Sequence, residues 1–565
     1  MQLNINESAT HYLNRIVLFN EEAYNMCDFV FSRREEMGKI RKIKSKLSVF
    51  FMIFYGVLTG MIAGLFLYGF KQLAALVLKQ TVSIFEYVKV HPWYIPLLFI
   101  GLAILAYLVA LIIKKEPNAG GGAIARTEGF LRGLITFKWL RTTLATLVSS
   151  LLVFFGGLPY GIEGSSVIMG TTISGGVSKL GQADPSLERY ILTSGASAGF
   201  AVATGSPLAG IVFSLEEMHK KFSFLLLIVS MAGASAAALT IKVMDHIFNT
   251  SNVFFPIGKV EPLPLSLMWL TIIIGIIAGL VATGFNKFLE KMNHYIDTKL
   301  KKVTQFIRIL VNFLLVGIAG LFLVEILGNG HHLLIEAMER KFAWTTLLVL
   351  LIVKIILISV SVGSGVTGGL FVPSLVIGGL TGALINELFI SLGVDANYTK
   401  IIIILAMGAF FGTSIHAPIT TIVFMIEATQ DPYNVLAMVL VLLVAMVTAH
   451  AFKNESNNDT VLERILRKQD KGKTANIYEL VGKIQEGAFV VNKPTRDILW
   501  PANSLITTIK RENDPKGHRM VKGGDKLLKS LDTIVFQVQS YDLEKTKTEF
   551  TALIGNQELI SKQLH

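Results

Sequence analysis

Residues 148–170 read Val-Ser-Ser-Leu-Leu-Val-Phe-Phe-Gly-Gly-Leu-Pro-Tyr-Gly-Ile-Glu-Gly-Ser-Ser-Val-Ile-Met-Gly. Glu163 stands in a glycine-rich break with apolar sequence on both sides. A carboxylate near a bilayer centre costs about 2.5–3.5 kcal/mol on insertion scales, so an intramembrane acid ordinarily marks a pathway. The stretch has a counterpart 208 positions on: Gly161-Ile-Glu-Gly-Ser-Ser-Val-Ile-Met-Gly170 parallels Gly369-Leu-Phe-Val-Pro-Ser-Leu-Val-Ile-Gly378. A second pair lies 211 apart, Pro207-Leu-Ala-Gly-Ile-Val-Phe-Ser-Leu-Glu216 and Pro418-Ile-Thr-Thr-Ile-Val-Phe-Met-Ile-Glu427. Two matches at nearly one offset predict a duplicated half. Transporters built from repeats place their site at the repeat interface, near the midplane, on broken helices.

The composition agrees. Of 565 residues, 52% are hydrophobic and 16% charged, with a mean hydropathy of +0.57, against about 25% charged in a soluble protein. The chain reads as a polytopic membrane protein. Stretches of spanning or half-spanning length include 49–70, 94–113, 223–240, 265–285, 306–326, 345–362 and 434–451. A full span needs about 20 apolar residues. The segments around 157–180, 193–215, 366–385 and 405–427 are short or broken by Gly and Pro. Such segments survive at membrane depth only inside protein or beside a water-filled cavity.

The net charge of +12 does not indicate nucleic acid, because much of it flanks the membrane block: Arg33, Arg34, Lys39, Arg41, Lys42, Lys44 and Lys46, then Arg464, Arg467, Lys468, Lys471 and Lys473. Lys and Arg beside span ends favour the cytoplasmic side, so both termini are expected there; a basic patch for a partner is the other reading. Cys27 is the only cysteine, which excludes an intrachain disulfide. The polar start is not expected to be a signal peptide.

Four regions are expected: an N-terminal cytoplasmic tail (1–47), a membrane transport domain (48–465), a linker (466–476) and a small α+β domain (477–565). In the last, Gly-Ala-Phe-Val-Val-Asn (487–492) and Asp-Thr-Ile-Val-Phe-Gln-Val (532–538) alternate like strands, with Gly523-Gly524-Asp525 as a turn.

Each broken segment opens with glycines and continues as an apolar helix. N–H groups at a helix start lack intrahelical partners and carry partial positive charge. Glycine lets a ligand approach that backbone closely, so two such starts aimed at one point make an anion site. The candidate starts are Gly164–Ser166 and Gly368–Phe371, with a third glycine-rich break at Gly120-Gly121-Gly122-Ala123. Close helix packing is the alternative use of these glycines.

These residues resemble the CLC family of chloride channels and proton-coupled chloride antiporters. Its first signature, G-[RK]-E-G-P, stands here as Gly161-Ile162-Glu163-Gly164-Ser165. Its second, G-S-G-x-x-G-G-x-F-x-P, is complete from Gly363 to Pro373. The resemblance covers roughly residues 50–465. It implies an all-α polytopic homodimer, each protomer with its own pore between two inverted repeats of broken re-entrant helices. It implies that Glu163 is the external gating glutamate, whose carboxylate occupies an anion site and leaves it when protonated. Glu217 matches the internal proton-transfer glutamate of the antiporter branch, although Glu216 or Glu217 facing cytoplasmic water is the alternative. Anion contacts are implied for Gly122, Ile162, Gly164, Leu370, Phe371 and Asn458. Two positions depart from the pattern: the central-site serine is Gly122, and the central-site tyrosine falls near Asn458. Losing two hydroxyl donors weakens anion binding by about 0.5–3 kcal/mol each, with a water or the Asn458 amide as substitutes.

The tail resembles the TrkA-C module of potassium transport regulators, on Ile498–Ile506 and Gly524-Asp525-Lys526-Leu527-Leu528 with Asp532-Thr533-Ile534-Val535-Phe536. Such modules dimerise and in some proteins bind cyclic di-AMP. Lys510, Arg511, His518 and Arg519 are the candidates to meet phosphates, or form a solvated basic loop. The leading expectation is chloride transport coupled to protons. An uncoupled chloride channel, a fluoride exporter and a membrane-anchored ligand sensor are the alternatives. No nucleophile motif and no metal-ligand spacing indicates an enzyme or a metal, and no cofactor is expected.

Overall fold

The computed structural model describes residues 36–250, 254–255, 257–258, 260–470, 474–511, 514–519, 524–555 and 559–564. Cys27, Arg33, Arg34, Lys471, Lys473 and Gly523 lie outside the described residues. The chain divides into two units, Phe51–Thr474 and a second that joins Met1–Phe50 to Ala475–His565.

The first unit is all helical. Helix α1 (Glu36–Val90) leads into it, followed by α2 (Ile95–Lys115), α3 (Ala123–Leu131), α4 (Trp139–Phe155) and α5 (Glu163–Leu180). Then come α6 (Glu188–Thr204), α7 (Pro207–Phe213), α8 (Phe224–Phe248), α9 (Leu270–Thr298), α10 (Gln305–Phe322) and α11 (His331–Met338). The unit closes with α12 (Trp344–Ser364), α13 (Phe371–Ser391), α14 (Thr399–Ile415), α15 (Pro418–Thr429), α16 (Val435–Ala451) and α17 (Asn457–Gln469). Among the described residues, eight helical segments are long and apolar enough to cross a membrane. The broken segments are the short α7 and α15 and the almost wholly buried α5, α6, α13 and α14. Burial inside protein is what a Gly- and Pro-interrupted segment needs at membrane depth. The helix α17 runs to Gln469, four residues into the stretch expected as linker.

The duplication is visible in detail. Short 3₁₀ turns at Pro185–Leu187 and Ala396–Tyr398 lie 211 positions apart, each capped by an aspartate (Asp184, Asp395). Each leads into a 17-residue helix, α6 or α14, that ends in the left-handed region at Gly205 or His416. A proline then starts α7 or α15, as suits the first helical turn. Helices α8 and α16 both begin 211 apart, at Phe224 and Val435.

In the second unit, β1 (Asn476–Lys483), β2 (Ser504–Arg511), β3 (Asp514–Arg519), β4 (Thr533–Ser540) and β5 (Ile560–Leu564) form one antiparallel sheet in the order β3-β2-β4-β1-β5. Helix α18 (Leu543–Ile554) packs Phe550 against Phe536, beside Trp500. The small α+β domain is therefore present, and 532–538 is largely strand. Residues 487–492 are not a strand. They form consecutive turns in which Ala488, Phe489 and Val490 are all buried. Three successive buried side chains do not fit a strand with one dry face, whose residues alternate.

Candidate functional site

The starts of α5 and α13 meet. Gly161 and Gly369 form an antiparallel bridge, with N···O distances of 3.1 and 3.3 Å. These residues correspond under the 208-residue offset, so the two halves touch at matching positions. The crossing leaves no room for a side chain. A Cβ on Gly164 would lie 2.7 Å from the Gly369 Cα, and one on Gly369 would lie 2.5 Å from the Gly164 nitrogen. Glycine is required here for backbone approach.

Glu163 is the first residue of α5 and is 1% exposed. The N–H groups of Glu163 itself and of Val372, in the first turn of α13, act on its carboxylate. Oε2 has no hydrogen-bond partner among the described residues. Pro373 has no N–H to offer, and Ser374 N already donates to the Leu370 carbonyl at 2.9 Å. The free donors of α13's first turn are therefore those of Phe371 and Val372. Sequence reading named Leu370 and Phe371 and missed Val372. Leu370 and Ile162 precede their helices as capping residues, and Gly164 N belongs to the unpaired first turn of α5.

Gly122 caps α3 with φ +77°. A Cβ there would stand 2.6 Å from Val461 Cγ1 and 3.3 Å from Ile465 Cδ1. The space a serine side chain would use is filled by the apolar Val461 and Ile465 of α17. Asn458 also departs from its expected place. Its Nδ2 donates to Glu217 Oε1 at 2.6 Å, which uses the amide on the internal carboxylate.

Glu217 is 2% exposed and sits in a π-helical turn, Ser214–Met218, that follows α7. Inserted π turns are frequent at functional sites. The exposed-carboxylate alternative is therefore overturned for Glu217. Glu216 points elsewhere, accepting from Ile419 N (3.0 Å), Thr420 N (2.6 Å) and Thr420 Oγ1 (2.7 Å) at the start of α15. Glu427 reciprocates at the start of α7, from Leu208 N (3.0 Å) and Ala209 N (2.8 Å). Glu128, Lys220 and Asp459 act electrostatically on Glu217. Glu128 is fully buried and accepts from Arg132 at 2.9 Å. Its only sequence signal was its place just after the glycine-rich break.

The family model for voltage gated chloride channels matches residues 101–450. The chain belongs to the voltage-gated chloride channel family. Members similar to it include the H(+)/Cl(−) exchange transporter ClcA of Klebsiella pneumoniae, 29% identical over 78% of this chain and 93% of the relative. ClcA of Salmonella schwarzengrund is 28% identical over 78% and 94%. Among solved structures, a slow cyanobacterial Cl−/H+ antiporter matches with a TM-score of 0.68 and 26% identity, over 74% of this chain and 99% of that one. A CLC-type fluoride/proton antiporter shares the fold at a TM-score of 0.60 and 20% identity, over 72% and 97%. The family's all-α membrane fold with broken helices is the architecture described above.

Other polar residues have structural partners. Lys354 is fully buried and donates to the carbonyls of Ile326 and Gly328, each at 2.9 Å. His416 ends α14 with its Nε2 3.2 Å from Asn454 Nδ2. In the sheet domain, Arg511 is engaged by Asp532 (3.1 Å) and the Leu527 carbonyl (2.7 Å). Lys510 is exposed. His518 and Arg519 lie on β3, and their side chains lie outside the described residues.

Proposed function

We propose that the protein exchanges chloride for protons across a membrane, with Glu163 as the gate and Glu217 as the internal proton relay. The observation that carries this reading is the placement of Glu163 where the free N–H groups of two helix starts converge. When ionised, its carboxylate takes the position that an anion would take, against the Val372 N–H. When protonated it loses that attraction, and chloride displaces it. One carboxyl group thus alternates between anion surrogate and proton carrier. Phe371, Val372, Gly164, Ile162 and Leu370 border the anion path through their backbone. The path has no Gly122 hydroxyl, and Asn458 holds Glu217 instead of the anion. The exchange activity named for the ClcA relatives and the cyanobacterial antiporter supports this reading.

The reading extends to a homodimer with both termini cytoplasmic, and to a TrkA-C-like tail that takes a nucleotide such as cyclic di-AMP at Lys510, His518 and Arg519; the Arg511 guanidinium is already committed to Asp532. Missing central hydroxyls favour a second reading, an uncoupled chloride channel. Reconstitution into vesicles under an imposed chloride gradient separates the two. Uphill proton movement is expected; rapid chloride flux without it would refute exchange.

A further inference from the structure

A cavity of about 660 Å³ opens onto Glu163. Its charged wall residues divide by depth. Lys79, Glu86, Glu325 and His332 are exposed, and Glu336 lies 3.4 Å from His332 Nδ1. These groups meet water or each other. Lys71, on α1, is only partly exposed and lines the same cavity as Glu163. Its ammonium makes no hydrogen bond and no salt bridge among the described residues. The carboxylates acting on it are Asp245 and Glu163, neither close enough for an ion pair. The partly buried His331, on the same wall, is committed through Nε2 to the Phe254 carbonyl.

A partly buried ammonium without a partner is costly unless an anion or water meets it. Meanwhile an anion descending the cavity is repelled by Glu163. The loop Gly157–Ile162 supplies no positive charge of its own, and Ile162 turns an apolar side chain into the cavity. Lys79 at the exposed part of the wall is screened by water, whereas Lys71 is the partly buried cation that offsets this repulsion, and low-dielectric walls strengthen its effect. We infer that Lys71 forms an anion-holding site in this cavity, where a small monovalent anion such as chloride rests before it meets Glu163. This inference rests on the reading of Glu163 as the gate.

The test is chloride transport by the full chain in vesicles, with chloride varied separately on each side. Lys71→Met is expected to raise half-saturating chloride on the cavity side by about three- to tenfold, the scale of losing one steering charge. The opposite side and the maximal rate should change by less than about twofold, since an encounter site acts before the rate-limiting exchange. Lys71→Arg should behave like the parent. Lys71→Met combined with Ala75→Lys, which returns a cation one helical turn along α1 in the same cavity, should recover most of the affinity. Lys71→Gln takes the same reading if Lys71→Met does not fold. Unchanged half-saturation on the cavity side, an equal rise on both sides, or failure of both Lys71→Arg and the double variant to recover affinity overturns the site. Glu163→Gln in parallel keeps the two readings apart. Lost proton coupling there, beside an unaffected Lys71→Met, removes the Lys71 site and leaves the gate. The reverse pattern removes the gate alone.

Discussion

The two halves of the membrane unit share a scaffold and differ in chemistry. Helix starts, caps, 3₁₀ turns and the proline-led helices recur 208 or 211 residues apart. Yet the first residue of α5 is Glu163, and its counterpart at the start of α13 is Phe371. Phe371 packs edge-on against Phe200, Phe411 and Phe424, with ring centroids 4.4–5.1 Å away. Glu217 similarly pairs with Ala428, and its π turn has no equivalent in α15. Duplication supplied two sets of helix-start N–H groups and one crossing point. Only the first half then carries these two buried carboxylates, Glu163 beside the crossing and Glu217 in its π turn. In the proposed mechanism symmetry builds the anion path, and its breaking supplies the proton chemistry.

The largest expected effect breaks that asymmetry. Glu163→Gln removes the titrating group while keeping its shape. Proton movement coupled to chloride should be abolished, with some chloride flux retained. The matched change Phe371→Leu should leave coupling intact and cost about 1 kcal/mol of stability, as conservative core swaps do. Paired chloride-efflux and proton-uptake measurements check both. Persisting coupling in Glu163→Gln, or coupling lost in Phe371→Leu, would erase the proposed division of labour.

The crossing itself should be symmetric. Gly164→Ala and Gly369→Ala each drive a Cβ into the other glycine's backbone, which no side-chain rotation relieves. Each should cost about 1–3 kcal/mol. Because both act on one contact, the double variant should lose less than the sum. Melting temperatures in detergent, single against double, provide the measurement. Strict additivity would show that the two glycines do not share a strain.

Much of this was legible in the sequence because it rests on local chemistry. The spans followed from apolar run length, and the repeat from Pro, Gly and Glu at fixed offsets. Glu163 stood out because a carboxylate is expensive in such a run. What stayed hidden depended on which distant segments meet. Val461 lies 339 positions after Gly122, so nothing local announced that it fills the missing serine's place. Asn458 could be aligned with the pore but not foreseen on Glu217. Lys71 sat unremarked just past the first long apolar stretch, because a single lysine there has no local motif. The 487–492 turn read as a strand because apolar composition alone does not separate buried turns from strands.

The smallest expected effect sharpens the comparison most finely. Glu216 and Glu427 each close the start of the other half's proline-led helix, a reciprocity that only a two-fold relation between halves produces. Either carboxylate satisfies two orphan N–H groups and faces the positive end of a helix. Glu216→Gln and Glu427→Gln should each cost about 0.5–2 kcal/mol, the range of helix-start capping. The two are not identical, because Thr420 adds a hydroxyl donor to Glu216, whereas its counterpart Ala209 has none to give Glu427. Glu216→Gln should therefore cost more, by roughly the 0.5–1.5 kcal/mol of one net hydrogen bond. If the hydroxyl is the whole difference, Glu216→Gln in a Thr420→Val background should cost the same as Glu427→Gln in the parent. Thermal unfolding of the four variants decides this. A remaining gap would mean that the halves differ in packing at this contact as well as in its chemistry.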